Sequence, residues 1–247
     1  MKPGWMHFFP AGALAVSLAL TGLTLSARAE PTPSEAGQQL VAQILAQRPA
    51  AGFTNTGVMK IHDPAHGNSS LPLTCITRVA NPDWSVAYQA GDTVLTVTHV
   101  ETGPTRYVLH EANGKITRLL GDQTTTPFAG SDFQVADLGL EFLHWPQQKV
   151  LKKDVHRSRG CFVLESTNPH PSAQSYTRIV SWIDEESLGI VEAEAYDANG
   201  TELKDFYPKD FKKVNGQYQV GVMVMKNEQT GSRTQLEFNL DGSSPEK

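Results

Sequence analysis

The chain is short of most residue types that would announce a chemistry. It holds only 2 cysteines, 4 tryptophans and 5 methionines in 247 residues. Two cysteines cannot build a dense disulfide scaffold or a four-thiolate zinc site. Charged residues make up 19% of the chain and the formal net charge is −5. No basic stripe is present of the kind that grips nucleic acid or an anionic membrane, so nucleic acid is a poor candidate as partner and so is an anionic membrane bound by charge alone. There is no Gly-x-Ser-x-Gly elbow, no phosphate-cradling glycine loop and no internal repeat. After residue 29 no stretch is apolar enough to span a bilayer. These absences leave no catalytic residue and no cofactor to name, and they point away from an enzyme and toward binding.

What the sequence does have begins with an export signal. Lys2 supplies a positive start, the run from Phe8 to Leu25 is uncharged and apolar, and Ser26-Ala27-Arg28-Ala29 ends it with small residues. This layout predicts cleavage after Ala29. An uncleaved anchor is the alternative, but Pro10, Gly12 and Gly22 interrupt the run. No cysteine sits at the cleavage point, so the mature chain is not expected to be a lipoprotein. Removing Lys2 and Arg28 makes it more acidic still. In an oxidising compartment Cys75 and Cys161 either form one disulfide or remain two buried thiols. A bridge would close a long loop, worth roughly 4–5 kcal/mol in the chain-entropy model.

The periodicity then changes along the chain. Ser34 reads as an N-cap for an amphipathic helix over 34–47, with Leu40, Val41, Ile44 and Leu45 on one face and Pro49 beyond it. From Phe53 the pattern is that of strands, near 53–62, 73–79, 84–89, 93–99 and 106–111, separated by Gly, Pro, Asn and Asp turns. Trp84, Val86 and Tyr88 share one face. Residues 121–127 read as a polar loop, and 134–145 as a second helix capped by Ser131 or Asp132 and ended by Pro146. Leu138, Phe142 and Trp145 form its apolar stripe, with Phe133 near its start.

Hairpins fill the rest. They are expected over 149–157 and 161–166 about Ser158-Arg159-Gly160, and over 176–184 and 189–196 about 185–188. Strands at 202–206, 211–214, 218–226 and 233–240 follow, with Asn215-Gly216 as the strongest turn signal. The expectation is ten or eleven antiparallel strands and two helices in one mainly β domain (α+β) over 30–240, then a loose tail over 241–247. A sheet that wide twists and curls or closes, and the two amphipathic helices are the natural cover for its concave apolar face.

Four stretches carry a family likeness: Phe128-Ala129-Gly130-Ser131-Asp132-Phe133 with Ala136-Asp137-Leu138; Tyr176-Thr177-Arg178-Ile179-Val180-Ser181-Trp182-Ile183-Asp184; Tyr196-Asp197-Ala198-Asn199-Gly200; and Met225-Lys226-Asn227 with Thr230-Gly231-Ser232-Arg233-Thr234. In that order they resemble the outer-membrane lipoprotein-sorting proteins, the LolA/LolB-like superfamily. The resemblance implies a strongly curved antiparallel sheet, an unclosed barrel, with helices lying in its concave side as a lid. It implies a periplasmic, monomeric carrier or chaperone that shelters the acyl chains of lipoproteins or related lipid cargo. Such a carrier would work between an inner-membrane export complex and an outer-membrane acceptor. The alternative it leaves open is an envelope sensor that reads lipid and regulates a membrane partner.

Adaptable or aromatic residues could line a lipid cavity: Trp84, Tyr88, Phe133, Leu138, Phe142, Trp145, Trp182, Met223 and Met225. The same residues could equally fill a core, because patterning does not separate the two. No metal site is expected. His62-Asp63-Pro64-Ala65-His66 lacks the helix that sets zinc-binding spacing, and Asp184-Glu185-Glu186 reads as a solvated hairpin tip.

Overall fold

The computed structural model describes residues 30–214 and 217–245; of the strand residues 212–214, 217, 218 and 241–245 it describes the backbone alone. The export signal and the Asn215-Gly216 turn lie outside the described residues. The strands are β1 (Phe53–Asp63), β2 (Gly67–Ala80), β3 (Asp83–Ala90), β4 (Thr93–His99), β5 (Arg106–His110), β6 (Ile116–Leu119), β7 (Gln147–His156), β8 (Arg159–Thr167), β9 (Arg178–Asp184), β10 (Ile190–Tyr196), β11 (Glu202–Val214), β12 (Gln217–Asn227) and β13 (Arg233–Pro245).

All belong to one sheet of 13 strands, ordered β6-β5-β4-β3-β2-β1-β13-β12-β11-β10-β9-β8-β7. It is the expected antiparallel, unclosed barrel, with more strands than the sequence suggested. β1 to β6 run outward from the middle to one edge, and β7 to β13 run inward from the other. The seam joining the halves is β1 against β13, with Met59 opposite Leu236. Both of these side chains are fully buried.

Because β6 and β7 are the two edges, the chain between them crosses the sheet. This crossing segment is a string of short turns. It runs through a 3-10 turn at Gly121–Thr125, another at Phe128–Gly130, the one-turn helix α2 (Val135–Leu138) and a 3-10 turn at Glu141–His144. The single helix expected over 134–145 is not there. It breaks at Leu140, which turns left-handed at φ 48, and Tyr107 packs so close to the preceding Gly139 that a Cβ there would lie 2.3 Å from its hydroxyl. The cap is Gln134, whose N–H donates to Asp137 Oδ2 at 2.7 Å. Ser131 and Asp132 have other work.

The other helix, α1 (Pro33–Leu45), is capped by Thr32 and not by Ser34. Pro33 fits the first helical position, where no N–H is needed. Thr32 and Glu35 then form a reciprocal capping box, with Thr32 N–H donating to the Glu35 carboxylate at 2.8 Å. Leu40 and Val41 are buried with Phe142, Leu143, Leu164, Ile179 and Ile183. A second cluster joins Phe128, Phe133, Val135 and Leu138 of the crossing segment to Leu73, Leu95, Val97 and Tyr107.

Smaller departures have local causes. The β7–β8 turn is Arg157-Ser158, both at positive φ (47 and 64), which is the geometry that closes a two-residue hairpin; Gly160 instead pairs with Val155. β11 continues through Pro208 as one strand because β12 pairs it along its length. The tail expected from residue 241 is strand as far as Pro245, which pairs with Phe53.

α1 sits directly on β7. A Cβ at Gly37 would lie 2.6 Å from the Gln148 carbonyl and the Lys149 nitrogen. Alanine is the better helix former, yet Gly37→Ala is expected to destabilise by about 1–3 kcal/mol because backbone has to move. Urea unfolding checks this; an unchanged or raised midpoint would refute the seating of α1.

Candidate functional site

Between the end of α1, the crossing segment and the concave face lies a cavity of about 480 Å³. β3 contributes Trp84, Val86 and Tyr88, whose period-2 spacing turns all three inward. β11 and β12 add Phe206, Pro208, Val220 and Met223. The crossing segment supplies Leu138, Leu140 and Leu143, and α1 supplies Ile44 and Leu45. Leu188 and Ile190, from the β9–β10 turn, complete the apolar wall.

The rim is polar. Arg48 donates to the Pro82 carbonyl at 2.6 Å and to Glu101 Oε1 at 3.1 Å. Gln47 donates to the Ser187 carbonyl at 2.9 Å. These contacts tie the end of α1 to loops on both sides of the opening. His99 stacks on Trp84 with ring centroids 4.0 Å apart, and His144 Nε2 lies 3.2 Å from the Thr105 hydroxyl. Burial, helped by nearby His144, pushes the His99 imidazole down to about 4. Burial also lowers His144. Burial, together with Cys75 beside it, raises the Tyr88 phenol. Burial thus disfavours the charged forms of His99, His144 and Tyr88.

A polar anchor fixes the crossing segment deeper in. Asp132 accepts hydrogen bonds from the Ser232 and Thr234 hydroxyls, and its own N–H donates to Thr234 Oγ1 at 2.9 Å. Lys204 donates to the Asp132 carbonyl and lies 3.9 Å from Asp137 Oδ2. Asp137 also accepts from the Tyr176 hydroxyl at 3.1 Å. Burial raises the Asp137 carboxyl, with Lys204 acting against it. Three of the sequence stretches singled out above thus meet at one point. Farther along, Gln148 donates to the Phe142 and Trp145 carbonyls at 2.9 and 2.8 Å, pinning the segment to β7.

Of the nine residues singled out as candidate lipid contacts, Trp84, Tyr88, Leu138 and Met223 line this cavity. Phe133 is 1% exposed and packs in the core. Met225 borders a void of only about 30 Å³. Phe142 and Trp145 line a separate cleft of about 240 Å³. Trp182 stacks on His156 with centroids 4.7 Å apart. Strand alternation turns it away from the face that carries Ile183. The residues not singled out, Val86, Leu140, Leu143, Ile190 and Phe206 among them, are ordinary aliphatic and aromatic positions. Only Val86 carried a signal, by sharing a face with its neighbours Trp84 and Tyr88.

The disulfide does not form. Cys75 on β2 and Cys161 on β8 are both free and buried, in strands far apart in the sheet. Burial pushes the Cys75 thiol up to about 12. His62 contacts Asn68 and His66 contacts Asp63. Asp184 accepts from Ser187 and from Arg159, which commits its oxygens to its own turn and to the neighbouring strand β8.

Two measurements test this geometry. Asp132→Ala is expected to cost about 2–4 kcal/mol in urea unfolding, since it leaves buried donors unpaired; a loss below about 0.5 kcal/mol would refute the anchor. The second is pH dependence. Unfolded His99 titrates near its ordinary 6.5, and folded His99 near 4. Between those values only the unfolded chain takes up the proton, so stability falls as pH drops through that window. His99→Gln is expected to flatten the fall, and an unchanged slope in pH-resolved melts counts against a buried neutral imidazole.

Comparisons with known proteins agree with this architecture. A family model whose description reads "-like: Uncharacterized protein" matches residues 85–240. No curated protein matches the chain. Among solved structures, a DUF1329 family protein from Desulfovibrio piger superposes with a TM-score of 0.73 at 17% identity, covering 87% of this chain and 94% of that one. An outer membrane lipoprotein-sorting protein domain from Vibrio parahaemolyticus gives 0.74 at 20% identity, with coverage of 87% and 94%. A LolA superfamily protein from Nitrosomonas europaea gives 0.56 at 13% identity, with coverage of 85% and 94%. The chain belongs to the family which that model describes, and it shares its fold with these three structures.

Proposed function

We propose that this protein is a periplasmic carrier that holds the acyl chains of a lipoprotein, or of related lipidic cargo, in the 480 Å³ cavity and releases them toward the outer membrane. The observation that carries the reading is the largely apolar hollow between a curved sheet and the cover formed by the end of α1 and the crossing segment. Hydrocarbon in water costs about 0.8 kcal/mol per methylene, or about 12 kcal/mol for a chain of ~16 carbons. A carrier offsets that cost with apolar wall, and release requires that the wall open. The cargo would come from an inner-membrane complex and pass to an outer-membrane acceptor, with no covalent step.

The rim contacts suit such opening. Arg48, Glu101 and Gln47 are exposed, and exposed ion pairs of this kind stabilise by about 0–1 kcal/mol. They hold α1 over the mouth without locking it. The anchor at Asp132 would keep the crossing segment seated while the α1 end lifts.

Native mass spectrometry of the protein purified from its own envelope, together with titration of a fluorescent fatty-acid probe, tests the reading. Bound lipid mass and saturable probe binding are expected. Val86→Glu places a carboxylate in the wall and should weaken the probe at least about tenfold, with a smaller effect on folding. A clean apo mass together with no saturable probe binding would sink the carrier.

A further inference from the structure

The edge of the sheet at β5 and β6 carries a side-chain pattern that the cavity does not use. β6 is the last strand on that side. Its Leu119 points inward and is buried, which turns Ile116 and Arg118 to the face away from the cavity. Leu120 keeps extended geometry, at φ −140 and ψ 146, and so continues the alternation. Ile116 is 64% and Leu120 61% exposed. On β5, Tyr107 points inward, and Arg106, Val108 and His110 share the outer face. The register places Ile116 beside His110 and Arg118 beside Val108; carried one step on, it sets Leu120 beside Arg106. Aliphatic and nitrogen-bearing side chains thus alternate along each strand and across the pair.

The charge on these strands is of one sign. β4, β5 and β6 contain no aspartate or glutamate. Arg106 and Arg118 are exposed and form no ion pair among the described residues. In the flanking loops Glu101 is engaged with Arg48 and Glu111 with Lys115, while Asp92 and Asp122 lie beyond the strand ends. The other half of the sheet is the reverse. Ala193 and Ala195 point inward there, so the outer face of β10 and β11 carries Glu192, Glu194 and Asp205. An anionic surface would attract the β5–β6 edge and repel that half, which selects one orientation. The β4–β5 loop, which borders the cavity with Glu101 and Gly103, leads directly into Arg106.

We propose that this edge is a docking surface for an anionic lipid bilayer. Arg106 and Arg118 donate to headgroup phosphates, and Ile116 and Leu120 sink beside them toward the acyl boundary. Charge alone would not hold a chain of net charge −5 to such a surface; the aliphatics add a part that salt does not screen. A single exposed aliphatic is ordinary, but here two of them flank an arginine. Alternation residue by residue suits a fluid interface, where phosphate and hydrocarbon lie everywhere side by side. A protein partner favours a contiguous apolar centre with a polar rim. So small a contact is reversible, and it sets the mouth of the cavity beside the headgroups. Docking requires no cargo and goes beyond the carrier reading.

Vesicle flotation of the protein purified from its own envelope tests this. Partition is expected onto phosphatidylglycerol–phosphatidylethanolamine vesicles, weakening as salt rises, and not onto phosphatidylcholine vesicles. Arg106→Gln with Arg118→Gln should lower it at least about tenfold. Ile116→Ser with Leu120→Ser should lower it by about as much at unchanged charge. Val155→Ser, at a site 74% exposed on the opposite edge strand, should leave it as it is. All these positions are exposed, so folding is expected to be unaffected. Both native cysteines are buried, so an environment-sensitive dye can be placed on Leu120→Cys or on Val155→Cys; only the first should shift to the blue with anionic vesicles. Fatty-acid probe binding should be the same in every variant, so the docking surface and the carrier fail separately. Native partition by both double variants, no partition onto any vesicle, or an equal dye shift at the two sites overturns the proposal. Loss with only one of the two pairs does so as well; if that pair is the arginines, the edge belongs to an acidic polypeptide.

Discussion

The constraint on which the molecule depends is topological: the strands on either side of the longest connection lie at opposite edges of one sheet. A chain leaving β6 must travel over the concave face to begin β7. That requirement turns an ordinary loop into a cover. It also decides the cover's form. A straight helix holds its backbone at 1.5 Å per residue, whereas a string of turns can bend with the hollow. Phe128, Phe133 and Leu138 then bury against one half of the sheet and Phe142 and Leu143 against the other.

The strength of the attachment differs from place to place. Under the crossing segment, Asp132, Asp137, Lys204 and Tyr176 meet partners on distant strands in surroundings largely shut off from water. Polar networks in such places are rigid when every member is paired and costly when one is lost. At the rim, Arg48 and Gln47 make contacts that water can replace. Attachment of the cover is thus graded, from buried polar contacts at the floor of the hollow to exposed ones at its mouth.

Much of this was legible in the sequence wherever the signal is local. The alternation Trp84, Val86, Tyr88 named a wall of the cavity. The β9–β10 turn lay where Asp184 and Gly189 close it, and α1 was found within two residues at each end. What could not be read depends on partners far along the chain. Ser131 and Asp132 look like helix caps until Thr234 is brought beside them. Residues 134–145 have a helical stripe, but the chain turns left-handed at Leu140, next to Gly139, against which Tyr107 packs closely. Trp182 is as apolar as Trp84, and only its phase on β9 decides that it faces His156. The four-residue β6 is too short to show a period.

The seam between β1 and β13 has a consequence for how the molecule is made. Each half of the sheet is a meander of sequence neighbours and can begin to assemble as it is synthesised. Within the described sheet the halves join where β13 pairs with β1, so the sheet stays in two pieces until β13 has been made. Folding is then governed by one late, distant encounter, whose loop-closure entropy must be met before the joined core can reward it.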